Sequence, residues 1–162
     1  MQEETEKRDY LIYELIVDRF RLEWQRIDDL DRKASGIIGF VGLIVSLQAG
    51  LGGFLLKEVP RTYEFYVPLC TLFLSGIILL MCSILCGLGA YNIKLFKVVP
   101  ETGHLIEEYA KKDRSRINIL RIYSQEFSKA VIENEAKNNK KADFIKIGFL
   151  FLILGIFLLF YL

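Results

Sequence analysis

The sequence predicts an all-α integral membrane protein: three transmembrane helices, a long N-terminal amphipathic helix and a helical cytoplasmic segment. Two observations carry that prediction. The first is a set of three apolar runs without a charge, at residues 34–56, 65–93 and 147–162. A helix needs roughly 20 apolar residues to cross about 30 Å of hydrocarbon. The first two runs suffice as they stand. The third suffices if it starts near Phe144 and Lys146 bends its ammonium back toward the headgroups. The second observation is charge segregation. The chain is 52% hydrophobic and 25% charged, yet nearly all charges lie in residues 1–33 and 94–143. A buried helix of a soluble domain is normally shorter and keeps a polar stripe.

Four segments follow. Residues 1–33 form a cytoplasmic amphipathic helix. Residues 34–93 form a transmembrane hairpin with spans at about 34–56 and 67–91. Residues 94–143 are a cytoplasmic helical segment, and 144–162 are the third transmembrane helix. In the first segment Tyr13, Val17, Phe20, Trp24 and Ile27 recur at steps of four and three, a seam for a partner helix. Arg19–Glu23, Asp28–Arg32 and Asp29–Lys33 are opposite-charge pairs four residues apart, which support a helix modestly. No proline or turn cluster separates this helix from the first span, so one continuous helix is expected. The 57–66 connection holds Pro60, and Pro68 follows closely; both suit a turn.

Beyond the second span, a short helix is expected between Pro100 and Arg114, with Leu105, Ile106 and Tyr109 inward. A long helix then starts near Ser115, capped by Asp113 or Ser115. Ile117, Leu120, Ser124, Phe127 and Val131 form its inner face. It runs through Asn134, Lys137 and Lys141 into the third span. The two apolar faces, this one and the N-terminal seam, each need a partner and are expected to pack together.

Basic residues set the orientation. Arg26, Arg32 and Lys33 precede the first span, Lys94 and Lys97 follow the second, and Lys137, Lys140 and Lys141 precede the third. Only Lys57 and Arg61 lie in the 57–66 connection. The positive-inside rule places the N-terminus in the cytoplasm and the C-terminus outside a multi-pass protein of the inner (plasma) membrane. The first run does not read as a signal peptide, being too long and preceded by an acidic segment.

The first span carries the most specific pattern. Ser35, Gly39, Gly42, Ser46, Ala49 and Gly53 recur at alternating steps of four and three. Small residues let helices approach closely in lipid, where no hydrophobic drive favours association. The stripe reads either as intrachain helix packing against Gly76, Ser83, Gly87 and Ala90 of the second span, or as a contact between copies or a pore lining. Gln48 is the main polar residue near mid-membrane and needs a partner or water.

Catalytic chemistry is not indicated, and no cofactor is expected. His104 is the only histidine, which excludes H-E-x-x-H and multi-histidine metal sites. No Walker loop or G-x-G-x-x-G motif occurs. Cys70, Cys82 and Cys86 all lie in the second run and read as small apolar packing residues; Cys82 and Cys86 lack a third metal ligand nearby. Glu107 and Glu108 read as a solvated helix face. Net charge is +1, so bulk attraction to nucleic acid is not indicated. Asn134, Lys137, Asn138, Lys140 and Lys141 combine amides with ammonium groups. Asn134, Lys137 and Lys141 form a candidate ligand-binding face for a phosphate and a base edge. The plainer reading of the cluster is an interfacial anchor.

The string Leu30-Asp31-Arg32-Lys33-Ala34-Ser35-Gly36-Ile37-Ile38-Gly39-Phe40, which opens the first span, resembles the D-x-K-A plus apolar run of the transmembrane effectors of pyrimidine cyclase anti-phage (Pycsar) systems. The related SLATT membrane effectors share the leading helix and paired spans. The order of parts is similar over most of the chain, including Glu-Glu-Tyr at 107–109 and a helix with Asn134 and Lys137 before a closing span. The resemblance implies a non-enzymatic abortive-infection effector. A cyclase makes a cyclic nucleotide during infection; the effector then oligomerises or opens and compromises the inner membrane. The implied partners are the lipid bilayer, further copies of the chain and a cyclic nucleotide. Two other readings stay open: a scaffolding membrane subunit that docks a soluble partner through the Tyr13 to Ile27 seam, and a small constitutive channel or transporter.

Overall fold

The structure is a computed structural model that describes residues 2–58, 63–93, 96–98 and 116–160. Among these residues it is helical, with three helices: α1 (Gln2–Glu58), α2 (Tyr63–Tyr91) and α3 (Arg116–Phe160). Each contains a stretch long and apolar enough to cross a membrane. The fold is that of an all-α membrane protein with three spans. The short helix expected at 100–114, His104, Glu107, Glu108 and both candidate caps of α3 fall outside the described residues. α2 begins at Tyr63 and includes Pro68, a residue that the sequence suggests for the turn. As the sixth residue of the helix the proline forfeits one backbone hydrogen bond and crowds the preceding turn, a loss that membrane helices can re-satisfy.

The chain divides into two compact units. One comprises Met1–Asp28 and Leu95–Asn139; the other comprises Asp29–Lys94 and Lys140–Leu162. The first is rich in charge and is called the polar unit; the second is the apolar unit.

All three helices follow one rule. Buried and half-buried positions recur at alternating steps of four and three residues, an average of about 3.5 per turn, as in knobs-into-holes packing. On α1 they are Asp9, Tyr13, Ile16, Phe20, Glu23 and Ile27, then Leu30, Ala34, Ile37, Val41, Ile44 and Gln48. On α2 the series is Tyr66, Leu69, Phe73, Gly76, Leu80, Ser83, Gly87 and Ala90. On α3 it runs from Ile117, Leu120, Ser124, Phe127 and Val131 through Asn134, Asn138 and Lys141 to Ile145, Gly148, Leu152, Gly155 and Leu159.

In the polar unit, α1 and α3 meet through aromatic rings. Phe127 of α3 packs edge-on against Tyr13, with centroids 6.0 Å apart, and against Phe20 at 5.3 Å. Trp24 stacks on Phe20 at 5.9 Å but is itself 40% exposed. The apolar unit is built on Ile37, Val41, Leu80 and Leu152. There α2 and α3 approach closely. Ser83 donates its hydroxyl to the Gly148 carbonyl at 2.7 Å. A Cβ added at Gly148 would stand 3.1 Å from Cys86 Cβ. A Cβ at Gly87 would stand 2.8 Å from Ile38 Cγ1 and 3.5 Å from the Ala34 carbonyl. Small residues on α2 and α3 thus do the work that small-residue packing does in lipid.

Candidate functional site

The features that a simple helical bundle does not require are polar groups placed on these seams. In the polar unit, Glu23 is 4% exposed and Asn138 fully buried. Asn138 Nδ2 donates to Glu23 Oε2 at 2.8 Å and to the Glu23 backbone carbonyl at 3.0 Å. Arg26 and Arg19 approach the same carboxylate at 3.6 and 3.9 Å. The Asn138 Oδ1 atom is buried and accepts no hydrogen bond among the described residues. Nearer the N-terminus, buried Asp9 accepts a hydrogen bond from Arg121 Nε at 2.8 Å. Arg26 also donates to Asn139 Oδ1 at 2.9 Å.

Asn134 is fully buried as well. Its Oδ1 accepts from the Lys97 backbone N–H at 2.9 Å, and its Nδ2 donates to the Lys97 carbonyl at 3.1 Å. The Lys97 side chain pairs with Glu133 at 3.0 Å. This two-way amide clamp satisfies a stretch of backbone that has no helical partner, as buried backbone groups require. In the apolar unit, Lys141 is 1% exposed and its Nζ lies 2.6 Å from Asp31 Oδ1. Asp31 Oδ1 is itself buried, and the 35% exposure of the Asp31 side chain comes from its other atoms.

The motif that opens the first span therefore has a physical role. Asp31 holds the buried lysine of α3, and Ala34 is fully buried where its carbonyl comes near Gly87. A larger side chain at residue 34, which is fully buried, would have to displace its neighbours. Arg32 pairs with Asp29 at 2.8 Å rather than with Asp28. Outside the seams, Glu126 and Lys129 pair on the surface at 2.9 Å. The hydrogen bond from Lys129 and its positive charge hold the Glu126 carboxyl below its ordinary value, and Glu126 raises Lys129 in turn.

Three expectations need correction. The α1 seam runs through Tyr13, Phe20 and Ile27, and it takes in buried Glu23 rather than exposed Trp24; Ile16 and Val17 are both half-buried. Apolarity favoured Trp24 over its neighbour Glu23, but Glu23 is accommodated because Asn138 faces it.

The candidate ligand face also resolves differently. Asn134 and Lys141 sit on the buried seam, while Lys137 lies beside it and is half-buried. The seam member between them is Asn138. Asn134 and Lys141 are each engaged inside their own unit, so neither is an open anion-binding group in this conformation.

The small-residue stripe is not the intrachain seam. Ser35, Gly39, Ser46, Ala49 and Gly53 are exposed and Gly42 half-buried. A Cβ at Gly39, Gly42 or Gly53 would meet nothing within 4 Å. The Ser46 hydroxyl donates within its own helix, to the Gly42 carbonyl at 2.9 Å. The α1 side of the contact is instead Ala34, Ile37 and Val41. A periodic pattern of small residues states that a face allows close approach, not which neighbour uses it.

Asp9, Glu23, Gly148 and Gly155 are seam positions that apolarity and charge spacing alone do not mark. Extending the 4-3 spacing of Leu30, Ala34, Ile37 and Val41 back toward the N-terminus would have found Glu23 and Asp9. Among the described residues no group of three or more His, Cys, Asp or Glu residues could hold a metal ion. No protein-family model, curated protein or solved structure matches this chain.

Proposed function

We propose that the chain is a membrane effector of a nucleotide-signalled anti-phage defence system, which compromises the inner membrane when triggered. The reading starts from the resemblance at residues 30–40. The observation that supports it most is the set of polar layers on the seams of α1 and α3. Buried ionic and amide contacts are weak sources of stability compared with apolar packing, and their best-attested use is to fix register or to act as switches. Here they sit on the two helices that run without a break from the polar unit into the apolar one.

A cyclic nucleotide fits this device as a competitor. Within the polar unit, its phosphate would approach half-buried Lys137, and its base edge would compete with the Lys97 peptide for Asn134. A ligand shifts such an equilibrium only by its differential affinity for the two states. The latched state would be the resting one, and release would permit rearrangement or self-association. The outward glycine face of α1 is available for close helix approach between copies.

Dye release from proteoliposomes, with and without cyclic mononucleotides, tests the reading. Ligand-dependent release that Lys137→Ala removes, with insertion intact, is the expected result. If no cyclic mononucleotide binds or changes leakage, the sensing reading fails. The second reading, a scaffolding subunit, then gains from a specific observation. Leu11, Leu15 and Leu22 are 55–61% exposed on α1 of the polar unit, an apolar face suited to a soluble partner.

A further inference from the structure

Within the apolar unit, a groove of about 520 Å³ runs between α1 and α3. Its walls are Gly36, Ile37 and Phe40 on α1 and Phe149 on α3, with Lys33 and Lys146 at one end. The floor is open because of Gly36, where an added Cβ would meet nothing within 4 Å. Phe40 and Phe149 are 54% and 53% exposed and stand along the groove like rails. Lys33 is the last charged residue before the apolar run of α1, and Lys146 the last before that of α3. Both ammonium groups therefore belong at headgroup level, while the groove descends into hydrocarbon. Lys146 is 78% exposed and, among the described residues, pairs with Asp143 at 3.8 Å, a loose surface pair. Arg32 and Asp29 satisfy each other nearby on α1.

From this geometry we infer a specific site for an anionic phospholipid. Its phosphate sits between Lys33 and Lys146, and one acyl chain fills the groove along Gly36, Ile37, Phe40 and Phe149. The charge pattern selects the occupant. An apolar groove alone would take any lipid chain, but two cations at its mouth favour a headgroup with net negative charge. Basic pockets between transmembrane helices are suited to such headgroups. The inference does not depend on the proposed defence role.

The test uses the full-length protein purified in a neutral detergent, with retained lipid measured by native mass spectrometry. Phosphatidylglycerol and phosphatidylcholine of equal chain length are offered together, and inorganic phosphate is added separately. Phosphatidylglycerol is expected to be retained over phosphatidylcholine by about tenfold, because each lysine near an anionic headgroup is worth roughly fivefold and Asp143 offsets part of this. The double variant Lys33→Gln with Lys146→Gln should lose that preference yet still retain lipid. Gly36→Leu should fill the groove and lower retention of both lipids. All three positions are exposed, so the variants keep the fold, and an unchanged elution volume verifies it. Equal retention of the two lipids by the wild type, or an unchanged preference in the double lysine variant, overturns the proposal. Displacement of the bound lipid by millimolar inorganic phosphate would also overturn it, since the site would then be for a free anion.

Discussion

Removing the Asn138 amide separates a buried polar layer from ordinary core packing. In the polar unit Asn138 donates twice to Glu23, once to its carboxylate and once to its backbone carbonyl. Asn138→Leu keeps the branched shape in a somewhat bulkier side chain and withdraws both donors. The carboxylate then retains Arg26 and Arg19 at 3.6 and 3.9 Å, distances that give charge compensation without good hydrogen bonds. A hydrogen bond to a charged group is worth about 1.5–3 kcal/mol, and a buried acceptor left bare costs about 1–3 kcal/mol. The two arginines offset part of this, so a loss of about 2–3 kcal/mol is expected. Glu23→Leu alone strands only the Asn138 amide and should cost about 1–2 kcal/mol. The double variant replaces both partners by apolar side chains and should return to within about 1 kcal/mol of the wild type, or exceed it. Thermal unfolding in detergent, followed by circular dichroism, measures all four proteins. At about 2–4 °C per kcal/mol for a chain of this size, Asn138→Leu should lower the midpoint by roughly 4–12 °C. Strict additivity of the two single changes would refute the reasoning, because it would mean that the pair is not coupled.

Gly87→Leu should destabilise the apolar unit, since the added Cβ alone would stand 2.8 Å from Ile38 Cγ1; overpacking of this kind costs about 1–3 kcal/mol. Gly42→Leu should leave monomer stability unchanged, because nothing lies within 4 Å of its Cβ, and should reduce any self-association seen by cross-linking in membranes. The Glu126–Lys129 pair should give a shallow acid dependence. The folded carboxyl is held low, so its stabilisation is complete above the ordinary value of 4.5 and fades as pH falls through the lowered one. Glu126→Gln should lower stability slightly at neutral pH and have no effect once the carboxyl is protonated, so melts from pH 7 to 3 should show a flatter acid dependence. Cysteine labelling of intact cells should reach Glu58→Cys and not Asp113→Cys if the N-terminus is cytoplasmic; the reverse pattern would invert the topology.

Much of this fold was legible because bilayer length and backbone satisfaction leave few options. The 34–56 run had to be a helix, and nothing between Tyr13 and Ala34 could stop it from being continuous with what came before. The face of Ile117, Leu120, Ser124, Phe127 and Val131 was equally readable, because its period is complete. The α1 seam was only partly readable. Positions 13, 20 and 27 are shared by two neighbouring 4-3 registers, and the choice between Glu23 and Trp24 depends on a partner 115 residues away. Asn134 and Lys141 look like ligand groups because polar residues at a membrane edge resemble a site. Their burial follows from the phase of the α3 seam, which the polar residues themselves obscure. The outward direction of the Gly39 and Gly42 stripe was not readable, since Ala34, Ile37 and Val41 offered an equally good period one step around the helix.

In the proposed function, α1 and α3 of the polar unit are latched at rest and separate when the membrane is compromised. Phe20 and Phe127, whose rings meet at 5.3 Å, provide a place to hold them. With Phe20→Cys and Phe127→Cys in one chain, a short bis-maleimide should join the two helices. Dye release from proteoliposomes on addition of a cyclic mononucleotide is then compared in the cross-linked and unlinked forms. No release is expected when the link is formed, and ligand-dependent release when it is absent. Equal release from the two forms would contradict the proposal, because the latch would then play no part in opening the membrane.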